Sequence, residues 1–487
     1  MNQRFSIGLW PRLILLGICI ALLGVAPQPH AFRRSLEHAA RMRREGLPSQ
    51  ASRSLAQAAQ LLPWRADLWE QAGSYALQAG EAQAAIEYFR RAWRADPVRG
   101  LSASGWMALG DAYRLQGNMT EAIRAWQAGM GRYGRTKEGY QRLAQAYLAL
   151  GDYSSATPTL QFLADLDMDD AQARYRLGLL LAARQPEEAG KHLEHAAQLD
   201  ARYKPAADEI RRAMLSARFV DDRAYTLLAV GRALASLNEW NLAIEAFHQA
   251  VLARPDYAEA WAYLGEARQH YGVGDVQFAS LSSSDGLQEL KTALQLDPNS
   301  LAAHTFLALY WTRQSRYDQA METIQNAVAL DPDNPTLLVQ LASIQAASGK
   351  LYDAYETYRK AIELSPYDPV YRRSLIEFAI EYDFEIETIA LPMARQLAAR
   401  FPKDPQNQDL LGRLLLKQGD LTSAERFFRR ALELDPLYAA AHMHLGLIYA
   451  LRGEREAALR ELDLAISLAS GTPTAAQAQR LIEMYFP

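Results

Sequence analysis

The chain has 487 residues, of which 49% are hydrophobic and 22% charged, with a formal net charge of −4 and a single cysteine, Cys19. This composition excludes an intrinsically disordered chain, and one cysteine excludes a disulfide framework or a cluster of several thiolates. Residues 1–65 carry a formal charge of +7, which leaves −11 on residues 66–487. Because phosphate binding needs a cationic surface, nucleic acid is an unsuitable partner.

The first predicted element is an apolar segment at the N-terminus. An uninterrupted apolar run, Leu13–Ala26, follows Arg4 and Arg12 and is closed by proline. The run alone has the length of the hydrophobic region of a signal peptide, and it approaches a membrane span when residues 5–26 are counted. Because proline disfavours cleavage at the end of the run, we expect an uncleaved single membrane anchor within residues 1–31, with a cleaved signal peptide as the alternative.

Basic residues lie on both sides of this segment. Two arginines precede it, and the stretch Arg33–Arg44 adds five more. The positive-inside rule would then keep the body cytoplasmic, whereas a short basic start before an apolar run is the layout of an exported protein. We expect a membrane-anchored chain with an extracytoplasmic body, or a secreted or periplasmic one after cleavage, and a cytoplasmic orientation stays open. The basic stretch also suits anionic lipid head groups, with a solvated first helix as the alternative.

From residue 32 onwards a pattern returns every 34 residues. Its clearest copy, residues 66–99, places large apolar, small and turn-forming residues at Trp69, Gly73, Gly80, Ala85, Phe89 and Pro97. Residues 301–334, 405–438 and 439–472 repeat this arrangement. Small residues let two helices approach closely, large ones fill the interface at helical spacing, glycine ends the first helix, and proline stops the second. The pattern therefore predicts a series of antiparallel helix pairs.

This pattern resembles the tetratricopeptide repeat family, and the resemblance covers about nine-tenths of the chain. It implies an all-α protein, an α-solenoid or right-handed superhelix of about 12 repeats behind an N-terminal hydrophobic helix, of the kind that bacteria anchor in the membrane or export. The tenth repeat has two extra residues, around 381–387. The predicted organisation is an anchor or signal (1–31), an N-terminal array (32–203), an extra helix or linker (204–223), a C-terminal array (224–472) and a capping helix (473–487).

The seventh repeat contains a predicted loop insertion at 270–284. It is rich in glycine and serine, and Val276, Phe278 and Leu281 alternate within it as in a short strand. Insertions in repeat arrays map to loops and often carry contacts. A binding role and a tolerated surface loop both remain open.

The resemblance also implies a protein-binding groove, lined by the first helix of each repeat at its second, fifth, ninth, twelfth and thirteenth positions. In the middle of the chain these positions hold Gln172, Tyr175, Leu179, Tyr225, Leu228, Arg232, Glu259, Glu266, Thr305, Leu309 and Arg313. A mixture of tyrosine, leucine, arginine and carboxylates suits an extended peptide or a partner helix. The alternative is that Leu179 and Leu309 pack between neighbouring helices.

Sequence signatures of catalysis are missing. The chain contains no phosphate-binding glycine loop, Gly-x-Ser-x-Gly elbow or His-Glu-x-x-His motif. Glu188, His192 and His195 share a helix face at a spacing that could hold a metal ion, but we expect that face to be solvated. We therefore expect no catalytic residues, metal, cofactor or small-molecule substrate.

Two functions fit these expectations. The first is a membrane-tethered scaffold or adaptor that binds other proteins and organises an envelope or membrane-associated assembly. The alternative is a permanent structural subunit of a large membrane complex.

Overall fold

The computed structural model describes residues 30–270 and 286–486. Within these residues every regular element is helical and none is a strand, which confirms the all-α fold predicted from the sequence. In the same part of the chain, no helix has the length and apolarity needed to cross a bilayer. The predicted hydrophobic helix falls on residues before 30, and Val276, Phe278 and Leu281 fall on 271–285, so these predictions lie outside the described residues.

The chain divides into two compact units. Unit 1 comprises residues 1–180 and 191–203, and unit 2 comprises residues 181–190 and 204–487. The domain boundaries predicted from the sequence stay predictions.

The helices up to residue 203 follow one another through short turns, and the first eight of these helices pack as four successive pairs. They are α1 (His30–Arg44), α2 (Pro48–Leu61), α3 (Ala66–Gln78), α4 (Ala82–Ala95), α5 (Ala103–Leu115), α6 (Met119–Tyr133), α7 (Lys137–Leu150), α8 (Tyr153–Leu166), α9 (Ala171–Arg184) and α10 (Pro186–Leu199), followed by a 3₁₀ turn, Ala201–Tyr203.

The core of unit 1 is built from large side chains seated on small ones. Phe89 of α4 is completely buried against α3, and a Cβ added at Gly73 would lie only 2.9 Å from its ring. The helix pair can therefore pack this closely only because position 73 lacks a side chain. Gly80 supplies the turn between the two helices at a φ of +76°, which other residues adopt at a cost.

From residue 204 onwards, unit 2 consists of one helix that stands outside the pairs, then helix pairs and a closing helix. They are α11 (Lys204–Ala217), α12 (Arg223–Ser236), α13 (Trp240–Ala253), α14 (Ala258–His270), α15 (Leu287–Leu296), α16 (Leu301–Arg313), α17 (Tyr317–Leu330), α18 (Pro335–Ala347), α19 (Leu351–Leu364), α20 (Pro369–Tyr382), α21 (Leu391–Arg400), α22 (Pro405–Lys417), α23 (Leu421–Leu434), α24 (Ala439–Leu451), α25 (Arg455–Leu468) and α26 (Pro473–Tyr485).

The two extra residues of the tenth repeat are absorbed in an irregular connection. After α20, Asp383 and Glu385 both adopt positive φ, at 54° and 45°. A π-helical turn, Ile386–Ala390, then leads into α21. Left-handed backbone at non-glycine residues is unfavourable, so packing must hold this connection in place. Its last residue, Ala390, has no exposed surface.

Candidate protein-binding groove

Unit 2 contains an open cavity of about 590 Å³ between α11, α12 and α14, called here the unit 2 groove. Its lining residues are Glu209, Arg212, Ala213 and Ser216 from α11, Tyr225, Leu228, Ala229, Arg232, Ala233 and Ser236 from α12, and Glu259 from α14. Four of these, Tyr225, Leu228, Arg232 and Glu259, belong to the groove set named from the sequence. The volume falls within the range of ligand-binding clefts, about 300–1,000 Å³.

The N-terminus of α12 places Tyr225 at the rim of the groove. Asp222 caps the helix, because its carboxylate accepts hydrogen bonds from the backbone N–H groups of Ala224, at 2.7 Å, and Tyr225, at 3.2 Å. Arg254 pairs with the same carboxylate, which anchors the cap to the end of α13. Tyr225 keeps 36% of its surface exposed, so its ring is available to a ligand.

The floor of the groove is open because α12 presents small side chains there. Ala229, Ala233 and Ser236 follow at spacings of four and three residues, so they share one face of the helix. Leu228 lies beneath this surface with 2% of its area exposed. It therefore supports the floor and offers a ligand little surface.

The wall formed by α11 lies outside the 34-residue pattern, and the sequence-derived set missed it. Ala206, Ala207 and Ile210 bury one face of α11, while Glu209 and Arg212 point into the groove and pair with each other at 2.6 Å. The signal that could have revealed this wall is the apolar spacing of Ala206, Ala207 and Ile210, which marks the opposite face as open to solvent.

The groove retains an arginine that no carboxylate neutralises within the described residues. The guanidinium of Arg232 lies over the ring of Tyr263, 5.3 Å from its centroid, and no ion pair with an acidic side chain holds it. Glu259, on the other side, accepts a hydrogen bond from the Tyr257 hydroxyl at 3.4 Å. Burial, reinforced by the Glu259 carboxylate, raises the pKa of Tyr257 to about 12, so this phenol stays a donor at neutral pH.

Further along unit 2, the predicted groove residues Glu266 and Arg313 bind each other, with Arg313 Nη2 2.7 Å from Glu266 Oε1. Thr305 and Leu309 lie half-buried on α16, and the unit 2 groove does not extend to them. Arg313 differs from Arg232 because its charge is already compensated within the chain.

The three predicted groove residues of unit 1 have different environments. Gln172 is exposed and Tyr175 is half-buried, with its ring stacked on Tyr203 at 4.3 Å. Leu179 has no exposed surface, so it has nothing to offer a ligand in this arrangement.

A smaller cavity of about 390 Å³ lies in unit 1, between α5, α6 and α7. It contains Met107, Met130 and the pair formed by Asp111 and Arg142. Two nitrogens of Arg142 lie 2.9 and 3.1 Å from the two carboxylate oxygens of Asp111. These two charges satisfy each other, whereas Arg232 in the unit 2 groove makes no ion pair within the described residues.

The metal-spaced residues Glu188, His192 and His195 lie on α10. Within residues 30–270 and 286–486, no three His, Cys, Asp or Glu side chains are arranged to hold a metal ion.

Comparison with known proteins identifies the repeat. A family profile of the tetratricopeptide repeat matches residues 71–130, 228–268, 274–335 and 410–473, and a second profile of the same description matches residues 312–376. Together these segments span more than half of the chain. The comparison with curated proteins gave no match.

Among solved structures, yeast Tom70 is similar over 93% of this chain and 95% of its own, at 15% identity and a TM-score of 0.44. The pilF protein of Pseudomonas aeruginosa is similar over 47% of this chain and 99% of its own, at 17% identity and a TM-score of 0.33. Neither TM-score reaches 0.5, and neither likeness bears on what this chain binds.

Proposed function

The chain belongs to the tetratricopeptide repeat family, whose members generally mediate protein–protein interaction, and on this premise we propose that it is a non-catalytic adaptor that binds partner proteins in the unit 2 groove. The ligand is an extended segment or a helix of the partner. The observation that carries the proposal is the combination of an open cavity of about 590 Å³ with Tyr225 and Arg232 at its surface.

The chemistry of these two residues supports the choice of groove. Tyrosine and arginine are the usual anchors of protein interfaces, since they combine a large contact area with directional hydrogen bonding. Arg232 makes no ion pair within the described residues, so a carboxylate of the partner can bind it without first displacing an internal one. The small residues Ala229 and Ala233 leave room for the partner's backbone or side chains.

Residues 5–26 tether this adaptor to the membrane, and its repeats organise an envelope or membrane-associated assembly. This part of the proposal rests on the apolar run Leu13–Ala26 and on the basic residues beside it. The body lies on the extracytoplasmic side, with the cytoplasmic orientation as the second possibility.

The test is affinity capture of the tagged full-length chain from detergent-solubilised native membranes, followed by mass spectrometry. A double variant, Tyr225→Ala with Arg232→Ala, is compared with the native chain. The matched control is Tyr352→Ala with Arg359→Ala, which removes an exposed tyrosine and an exposed arginine from α19.

We expect specific partners to be lost with the groove variant and kept with the control. Reconstitution with the purified partner then gives the same ranking of affinities. An unchanged partner set in the groove variant would refute binding at this site.

A permanent structural subunit of a membrane complex is the second candidate, and one surface favours it. Leu215, Phe219 and Val220, at and just after the end of α11, are 48%, 94% and 52% exposed. Large apolar residues grouped at a surface mark interaction sites. In this case the captured proteins would be stoichiometric and resist salt washes, and the chain alone would be poorly stable.

A further inference from the structure

Helix α1 packs against its neighbour with one face, and within the described residues its other face is exposed. Phe32, Ala39 and Met42 are buried, and the helix packs on α2, where Ser54 Oγ lies 2.8 Å from Nδ1 of His38. These contacts determine which side of α1 packs against α2. Within the described residues, the other side of the helix is exposed.

The free side of α1 is cationic. Arg33, Arg34, Arg41, Arg43 and Arg44 are all exposed, against one acidic residue in the helix, Glu37. None of the five arginines forms an ion pair within the described residues.

The two arginines that follow α1 behave differently. Arg53 lies 3.2 Å from Glu81, and Arg65 lies 2.7 Å from Asp67. Among the arginines of residues 30–65, those without an ion pair are therefore grouped on α1, and this cluster is the surface that an external anion would meet.

We propose that the arginine face of α1 binds the phosphate groups of anionic lipids, which places the first repeat flat on the membrane surface. This inference rests on the membrane tether of the proposed function. Only residues 27–29 separate the apolar run from α1, and a chain spans at most about 3.6 Å per residue. The helix therefore starts within about 15 Å of the end of the run, close to the lipid head groups. This distance is comparable with the Debye length of about 10 Å, so charge attraction can act across it.

The charge of the remaining chain favours lipid over nucleic acid as the anion. Residues 66–487 carry −11, so a long polyanion lying across the protein would meet repulsion beyond α1. A helix of 15 residues is about 22 Å long, which suits several separate head groups. Each arginine near an anionic surface strengthens binding by about fivefold.

The experiment uses the full chain in lipid nanodiscs made of phosphatidylcholine alone or with phosphatidylglycerol. A fluorophore is attached at Ala31→Cys, an exposed position of α1, in a Cys19→Ser background. Quenching by acrylamide, a neutral molecule that lipid charge does not repel, reports the accessibility of α1. We expect quenching to fall by about twofold in the anionic discs and to recover at about 0.5 M salt.

The variant is Arg33→Gln, Arg34→Gln, Arg41→Gln and Arg44→Gln together. The control removes the same charge elsewhere, through Arg94→Gln, Arg114→Gln, Arg395→Gln and Arg480→Gln, all exposed positions. Shielding that is lost in the first variant and kept in the control supports the proposal.

Equal quenching in both kinds of disc, or shielding that persists without the α1 arginines, overturns the proposal. A fluorescent oligonucleotide that binds the solubilised chain, and is released by the α1 variant, would overturn it in favour of nucleic acid. A chain that does not enter the discs at all refutes the tether, and the inference falls with it. Failure of groove binding leaves these measurements unaffected, so the two proposals fail separately.

Discussion

The guanidinium of Arg313 on α16 lies 2.7 Å from Glu266 Oε1 on α14, and its second nitrogen lies 3.2 Å from Oε2. Glu266 also accepts hydrogen bonds from His270 Nε2, at 3.0 Å, and Gln269 Nε2, at 3.1 Å. The ring of His270 is in turn stacked on Trp240 at 3.9 Å. A carboxylate with 12% of its side chain exposed is thus bound by groups from two successive repeats, and this cluster links α14 to α16.

Arg313→Ala should loosen this link. Hydrogen bonds to a charged group contribute about 1.5–3 kcal/mol, and Glu266 keeps its bonds from His270 and Gln269, so we expect a loss of about 1–2 kcal/mol of local stability. Hydrogen exchange of the amides in α14 and α16 measures this directly. Arg359→Ala is the control, because its pair with Glu356 is solvent-exposed and should cost less than about 0.5 kcal/mol. Equal exchange in both variants would contradict a stabilising role for Arg313.

The same cluster predicts a pH dependence. Burial raises the pKa of Glu266, but hydrogen bonds from His270 and Arg313 outweigh burial and hold the pKa below its ordinary value. The ionised carboxylate therefore stabilises the fold fully above the unfolded pKa of about 4.3, and this contribution is lost as the pH falls through the lower folded value. Urea unfolding of the native chain and Glu266→Gln should differ by a constant amount near neutral pH. The difference should shrink in acid, and a difference that grows in acid would disprove the assignment.

A pair of glycine substitutions tests the packing of the helix pairs. A Cβ at Gly412 would lie 2.6 Å from Phe428, whose ring is completely buried, so Gly412→Ala should destabilise unit 2 by about 1–3 kcal/mol. Gly131 on α6 has nothing within 4 Å of the same added atom. Gly131→Ala should therefore stabilise its helix by about 0.5–1 kcal/mol. Thermal unfolding of the two variants should shift in opposite directions, and two shifts of the same sign would show that close packing does not explain the glycine at 412.

These glycines also show why the fold was readable from the sequence. Gly412 and Phe428 have the same spacing as Gly73 and Phe89. One such pair is weak evidence for a helical repeat, but its recurrence along the chain is strong evidence. The regular helices were predictable for this reason.

The features that could not be predicted from the sequence are those outside the 34-residue repeat and those formed by contacts between different repeats. The α11 wall of the groove has no counterpart in the repeat, so Arg212 and Glu209 were not named as groove residues. The neutralisation of Arg313 depends on a carboxylate 47 positions away, and a groove position alone does not indicate whether its charge is free. The positive φ of Glu385 could not be predicted either, because glutamate, unlike glycine, rarely adopts this conformation.

The connection after α20 offers a test of that backbone. Glu385 has a φ of 45°, and this conformation costs a non-glycine residue about 1–2 kcal/mol. Glycine adopts it without this strain, and its main cost is the larger conformational entropy of the unfolded chain. Glu385→Gly should therefore be neutral or stabilising by up to about 1 kcal/mol. Glu381→Gly, inside α20 and also exposed, should cost about 1 kcal/mol. If chemical denaturation ranks the two variants in the reverse order, Glu385 makes contacts that compensate for its backbone.

The contrast between Arg232 and Arg313 gives a test of the groove itself. Both were named as groove residues, but Arg232 has its guanidinium over Tyr263 and no carboxylate partner within the described residues, while Arg313 is held by Glu266. Truncation of an interface anchor costs more than about 1 kcal/mol, so Arg232→Ala should weaken partner binding by about tenfold. Arg313→Ala should change the stability of α14 and α16 and leave partner affinity within about twofold. Titration of each variant with the partner identified by capture measures both effects, and a larger affinity loss in Arg313→Ala would move the binding site away from α11 and α12 towards α16.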